Sequence, residues 1–274
     1  MSVPALSTSR RAPRLENEQI KQFEQAGFLI LPGFLPDDLV ARLKPEVDRW
    51  VDAGLRAQSI ACAVNPGTHG VPAIMEVDLP AHGELLTYPP LLRSIERLAG
   101  MRLVFHHLHS DRHAPDLPGK AWHHDYEQGV QSRRAYAMVH ALHYLDGLDA
   151  GMAGLAVLPG SHRVVAEKDA HAQWGTEPLA GEACIEDLPP GSTVLVHAAL
   201  FHARRPRPQH LEQQPQGRPR YCIDASYCQA GTRWPPVRPY WREMLARARR
   251  NGLASPEWPE LFSDRHFSEY AKPE

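Results

Sequence analysis

Residues 121–128 read AWHHDYEQ, and two imidazoles beside a carboxylate are donor types that hold divalent transition metals. On an extended strand alternate residues share a face, so His123 and Asp125 project together while His124 turns away. Two ligands from one strand and a histidine from a distant strand, with the other coordination positions open, make the facial arrangement of non-haem iron(II) sites. The stretch GSTVLVHAALFHARRPRP offers His197 and His202 for the third position. His202 is favoured because it ends the second apolar run and precedes Arg204 and Arg205, whereas His197 reads as a wall residue. With 16 histidines in the chain, a His-X-Asp spacing arises easily by chance, so the third ligand carries the argument. A rival reading takes His124-Asp125 as the HD pair of a metal-dependent phosphohydrolase, a class whose folds are helical.

The elements that must position these residues follow from the periodicity. Ile20 and Phe23 in ENEQIKQFEQA suit a short amphipathic helix that Gly27 closes, and FLILPGFL then reads as a strand. Pro36-Asp37-Asp38 opens a second helix carrying Leu39, Leu43, Val47 and Trp50 at helical spacing, with Pro45 as a potential kink. A third runs from Pro89-Pro90 to Gly100. Beyond it the period becomes that of strands: RLVFHHLH, AYAMVHALHYL, GLAVLP, STVLVH and RYCIDASYC are short, branched or aromatic, and separated by turn residues. Strands without intervening helices predict a mainly β fold with flanking helices, a sandwich, barrel or jelly roll rather than a parallel sheet. The expected organisation is a flexible tail over 1–15 and one domain over 16–274, with helices to about 100, a β core to about 230 and a C-terminal extension that composition leaves unplaced.

At 274 residues the chain can bury a core without staples, and its four cysteines lack the close spacing of zinc or redox motifs, which predicts a reduced, cytoplasmic protein. A formal charge of -2 argues against nucleic acid or an anionic membrane as partner. No apolar run approaches the roughly 20 residues of a membrane span. The Arg-rich start has no apolar core, so it does not read as a secretory signal.

Four segments in order then resemble one family. AWHHDYEQ is similar to the WHxD element of the phytanoyl-CoA dioxygenase family, GLAVLPGSHR to its GxLxxxPGSH turn, GSTVLVHAALFHA to its GDxxxFxxxxxH strand pair, and FEQAGFLILPGFLPDDLV to its opening segment. The resemblance spans roughly residues 20 to 230. It implies a double-stranded β-helix, iron(II) held by His123, Asp125 and His202, 2-oxoglutarate and O2 as cosubstrates, and hydroxylation of a small-molecule substrate. A carboxylate at Asp125, rather than the small residue of related halogenases, favours hydroxylation.

The resemblance also implies an arginine on the strand after the second histidine for the remote carboxylate of 2-oxoglutarate, because a planar guanidinium grips a carboxylate as a fork. Arg220 is the best match and Arg218 the fallback. His107 and His140 fall where relatives place further cosubstrate contacts. Tyr126, Gln128 and Trp174 are expected near the substrate, His162 in a turn, and the Arg133-Arg134 pair in a solvated turn with an anionic substrate as its other use. Two departures stand out: Arg204 occupies a position that is usually small or hydroxylic, and the segment from His202 to Arg220 is long. They motivate an alternative, a β-barrel that binds a small molecule or metal without oxidising it.

Overall fold

Gly27 takes a left-handed conformation (φ 85°) and donates its N–H to Phe23 O, which stops helix α1 (Asn17–Ala26) at its predicted end. Such local rules, in a computed structural model that describes residues 15–100, 102–114, 117–129, 134–149, 151–152, 154–207 and 218–271, account for most of the N-terminal elements. Strand β1 (Phe28–Leu31) leads to α2 (Asp37–Asp52), which runs through Pro45 and buries Leu39, Leu43, Val47 and Trp50. Helix α6 (Pro89–Ala99) starts on its prolines and ends at Gly100, φ 74°. Between them lie α3 (Leu55–Val64), α4 (Pro66–His69) and α5 (Pro80–Leu86), which the apolar period does not announce. The predicted tail lies almost wholly outside the described residues.

One polar chain fastens these helices to the sheet. Glu46 on α2 accepts the N–H groups of Ala81 (2.9 Å) and His82 (3.0 Å) at the start of α5, and its Oε2 lies 2.8 Å from His82 Nδ1. The far nitrogen of His82, whose residue is fully buried, meets Ser110 Oγ at 2.9 Å on the next strand. Removing the carboxylate orphans two backbone donors and a buried imidazole. Glu46→Ala is expected to cost about 3 kcal/mol in urea unfolding, and a loss below about 1 kcal/mol would show that solvent replaces these bonds.

Strands β2 (Leu103–His113), β4 (Met138–Tyr144), β7 (Ser192–His197), β9 (Arg220–Gln229) and β1 form one antiparallel sheet in the order β1-β7-β4-β9-β2. Strands β3 (Lys120–His123), β5 (Leu155–Val157), β6 (Ala183–Ile185) and β8 (His202–Arg204) form the other, in the order β3-β8-β5-β6. Two antiparallel sheets with helices outside make the expected jelly roll and remove the helical phosphohydrolase reading. Alternation along each strand divides its residues between outside and inside. Outward, Ile223, Ala225 and Tyr227 of β9 join Leu43 and Leu92 in the main core. Inward, Tyr144, Leu155, Val157, Val194 and Val196 form an apolar floor. The inward rows of β2 and β9 are polar instead: His107, His109, Asp111 and His113 register with Ser226, Asp224, Cys222 and Arg220.

The C-terminal extension covers β2. Leu261 O accepts Phe105 N–H at 2.7 Å, Phe262 packs edge-on against Phe105, and Phe267 stacks on Trp241 of α7 (Trp241–Arg250). Among the described residues no helix is long and apolar enough to cross a membrane.

Candidate metal centre

His123 and His202 face each other across the β3–β8 pairing, their ring centroids 4.3 Å apart. Each ring is turned by the same device. His123 Nδ1 lies 2.8 Å from Ala121 O and His202 Nδ1 lies 3.0 Å from Leu200 O. A carbonyl only accepts, so each Nδ1 carries the hydrogen and each Nε2 points inward. Such an outer hydrogen bond is what orients a metal-ligating histidine.

Asp125 completes the group, though not by strand alternation. β3 ends at His123, and Asp125 is positioned by its backbone N–H, which donates to Ala198 O at 2.8 Å. The chain leaves the sheet at that point, so a loop contact replaces the expected shared strand face. Asp125 Oδ2 is 3.2 Å from His202 Nε2, and Oδ1 is 3.6 Å from His123 Nε2. The three donor atoms lie within 4.8 Å of one another. Buried His123 Nε2 has no hydrogen-bond partner, an arrangement costly for a polar atom unless something binds there. Burial and the neighbouring His202 push the His123 pKa down to about 3. Burial raises that of Asp125, but the neighbouring imidazoles of His202, His140 and His123 outweigh it and hold the carboxyl well below its usual range. A neutral imidazole and an ionised carboxylate are the forms a divalent cation requires. The donor set, its tautomers and the unpartnered nitrogen fit iron(II).

The other histidines of these segments do different work. His124 lies 3.0 Å from Ala166 O, away from the cluster. His197 accepts Ala199 N–H at Nδ1 (3.1 Å) and stacks on Tyr126, so it is part of the wall. His162 bonds Glu24 O from a turn.

A cationic end of the cavity lies one step along the strands. Arg204, two residues after His202, and Arg220, opposite on β9, both reach His113: Arg204 Nη1 is 3.2 Å from its Nε2 and Arg220 Nη2 is 3.1 Å from its Nδ1. Asp111 Oδ2 also lies 3.1 Å from His113 Nε2. One imidazole cannot satisfy two guanidiniums and a carboxylate at once, and Arg204 Nε is buried without a hydrogen-bond partner, a donor that an anion could take. Arg204 additionally donates to Pro118 O at 2.8 Å. Arg218 precedes the strand, is 65% exposed and pairs with Asp149 at 2.7 Å, at the rim of the pocket that His113, Arg204 and Arg220 also line.

His107 and His140 line the cavity on β2 and β4, with centroids 5.6 Å apart. His140 Nδ1 is held by both oxygens of Asp224 at 2.9 and 3.0 Å. Asp224 is the site residue the sequence reading missed; the period-two row Arg220, Cys222, Asp224, Ser226 was the available signal. Tyr126 donates to Tyr136 O (2.5 Å), and Gln128 ties the metal loop to Thr232 (3.1 Å). Trp174 is 53% exposed. Arg134 sits half-buried in a turn, and its guanidinium donates to the carbonyls of His162, Val164 and Ala166. Arg133 lies outside the described residues, as does most of the long segment before Arg220.

The family model described as phytanoyl-CoA dioxygenase (PhyH) matches residues 23–206. Ectoine dioxygenase of Bordetella parapertussis is 29% identical over 161 residues, covering 56% of this chain and 51% of its own. The chain thus spans about half the length of the curated relatives it matches. Among solved structures, EctD from S. alaskensis with 2-oxoglutarate and 5-hydroxyectoine has a TM-score of 0.62 at 19% identity, covering 83% of this chain and 80% of that one. HygX from Streptomyces hygroscopicus with nickel and 2-oxoglutarate has 0.58 at 17%, covering 80% and 89%. The epimerase SnoN from nogalamycin biosynthesis has 0.56 at 16%, covering 80% and 83%. These structures share the fold, and the family model covers well over half of the sequence. The chain belongs to the phytanoyl-CoA dioxygenase family.

Proposed function

We propose that this protein is an iron(II)- and 2-oxoglutarate-dependent oxygenase that hydroxylates a small molecule. The supporting observation is the pair of carbonyl-locked histidines whose Nε2 atoms converge on Asp125. His123, Asp125 and His202 would hold the metal, and Arg220 would take the remote carboxylate of the cosubstrate. The bound metal and cosubstrate supply the activation of O2. The chain's own residues orient the ligands, fix the cosubstrate at the cationic end and keep the apolar floor dry.

Arg204 does not favour the non-catalytic alternative, because its guanidinium joins His113 and Pro118 rather than the metal donors. Substrate choice starts from ectoine, because similar curated enzymes are named for it. The test is turnover of iron-loaded protein with 2-oxoglutarate under 18O-labelled O2. One label is expected in succinate and one in a hydroxylated product. A product two hydrogens lighter, or an isomer of unchanged mass, would replace hydroxylation by desaturation or epimerisation, and absence of succinate would contradict the whole reading.

A further inference from the structure

Strand β2 is the edge of its sheet, and residues 232–240 run along that edge from the metal loop. At one end Gln128 donates to Thr232 Oγ1 (3.1 Å), and Trp234 packs edge-on against Tyr126, the residue after Asp125. Midway, Pro235 O accepts the Nε2–H of His106 at 2.8 Å. At the far end Tyr240 Oη meets Ser59 Oγ on α3 at 2.7 Å. Arg238 stands three residues beyond Pro235, within about 10 Å of extended chain. Its charge acts on both His107 and His109 of the inward row. Among the described residues this half-buried side chain makes no hydrogen bond and no ion pair.

The neighbouring groups leave that charge unused. Glu76 lines the same cleft as Arg238, but its Oε1 is taken by the Ser110 N–H at 2.6 Å. Arg56, the other cation acting on His109, is already paired with Asp111 at 2.6 Å. His109 also lacks a hydrogen bond among the described residues. Burial pushes its pKa down to about 4, with Arg238 and Arg56 acting in the same direction against Asp224 and Asp111, so the ring is neutral. A guanidinium drawn partly out of water without a counter-charge is costly unless an anion meets it. Beside a neutral imidazole, it offers a fork of donors at the open side of the cavity.

Resting on the proposed oxygenase reading, we propose that Arg238 binds an oxyanion of the substrate, a carboxylate or phosphoryl group, and so sets which part of that molecule reaches the metal. Strand geometry separates this role from that of Arg220. Arg220 keeps to its own rung, on the ring of its register partner His113, and His109 lies four residues back along β2, roughly 13 Å away. A five-carbon diacid, with four C–C bonds of about 1.5 Å, spans only about 5 Å. Cosubstrate held at Arg220 therefore stops short of Arg238, and the two cations serve different molecules. A substrate gripped at one end by a planar fork turns little, so its distance from the anion selects the C–H bond presented.

The experiment uses full-length protein loaded with zinc, which is diamagnetic, and saturated with 2-oxoglutarate to occupy Arg220, in wild type, Arg238→Gln and Arg238→Lys. Acetate, inorganic phosphate and neutral acetamide are the probes, and NMR titration gives their dissociation constants. In wild type the Arg238 Nε–H resonance, identified by its loss in Arg238→Gln, is expected to move with an added anion. The dissociation constant of that anion is expected to rise about tenfold to a hundredfold in Arg238→Gln, with partial recovery in Arg238→Lys and no change for acetamide. Tighter acetate assigns a carboxylate substrate, and tighter phosphate a phosphorylated one. The proposal is overturned if neither anion binds wild type, if Arg238→Gln leaves both affinities unchanged, or if acetamide loses as much. Unchanged affinities with a lowered unfolding midpoint would assign Arg238 to Glu76 instead. Failure of wild type to bind 2-oxoglutarate would sink the oxygenase reading, while the Arg238 resonance would still decide this one.

Discussion

Asp125→Ala is expected to lose at least about a hundredfold in iron affinity, the upper end of what removing a mere ligand-orienting partner costs, and to show no detectable turnover. The carboxylate is the only anion among the three donors and sits within 3.6 Å of both imidazole Nε2 atoms. Without it two neutral rings face a dication with no compensating charge. Its backbone bond to Ala198 O survives the substitution, so the loop keeps its place. Asp125→Asn separates charge from size: it retains the shape and is expected to fail as well. Iron titration followed by succinate assay checks both variants. Full activity in either one would remove Asp125 from the ligand set.

The second large effect falls on the cosubstrate. Arg220 is 7% exposed and its guanidinium stands at the cationic end of the cavity against His113. Replacing it with alanine removes a charge-assisted, bidentate grip on a carboxylate, and the KM for 2-oxoglutarate is expected to rise about a hundredfold with a smaller change in kcat. Arg220→Lys recovers only part of this, because an ammonium offers a point charge instead of a fork. Arg204→Ala should cost less, since part of that guanidinium is tied to Pro118 O. The reverse order, with Arg204 dominant, would make the residue on β8 the anchor.

Much of this site was legible in the sequence because it depends on local rules. The glycine ends of α1 and α6 and the branched strands follow from periodicity and capping. The choice between Arg218 and Arg220 depended on where a strand begins, and β9 starting at Arg220 leaves Arg218 outside it. Asp125 was placed beside His123 for the wrong local reason, since β3 ends two residues earlier than alternation required. Helices α3 to α5 were missed because proline, glycine and short length blur their apolar period. Asp224 escaped notice because its partner His140 is 84 residues away, and only the β4–β9 pairing brings them together.

The central claim, that His123, Asp125 and His202 hold iron to which 2-oxoglutarate binds, is tested most directly by anaerobic addition of iron(II) and then 2-oxoglutarate to the metal-free protein. A visible metal-to-ketoacid charge-transfer band in wild type, lost in His202→Ala, is the predicted result. No band in folded wild type, or an undiminished band in His202→Ala, would contradict it.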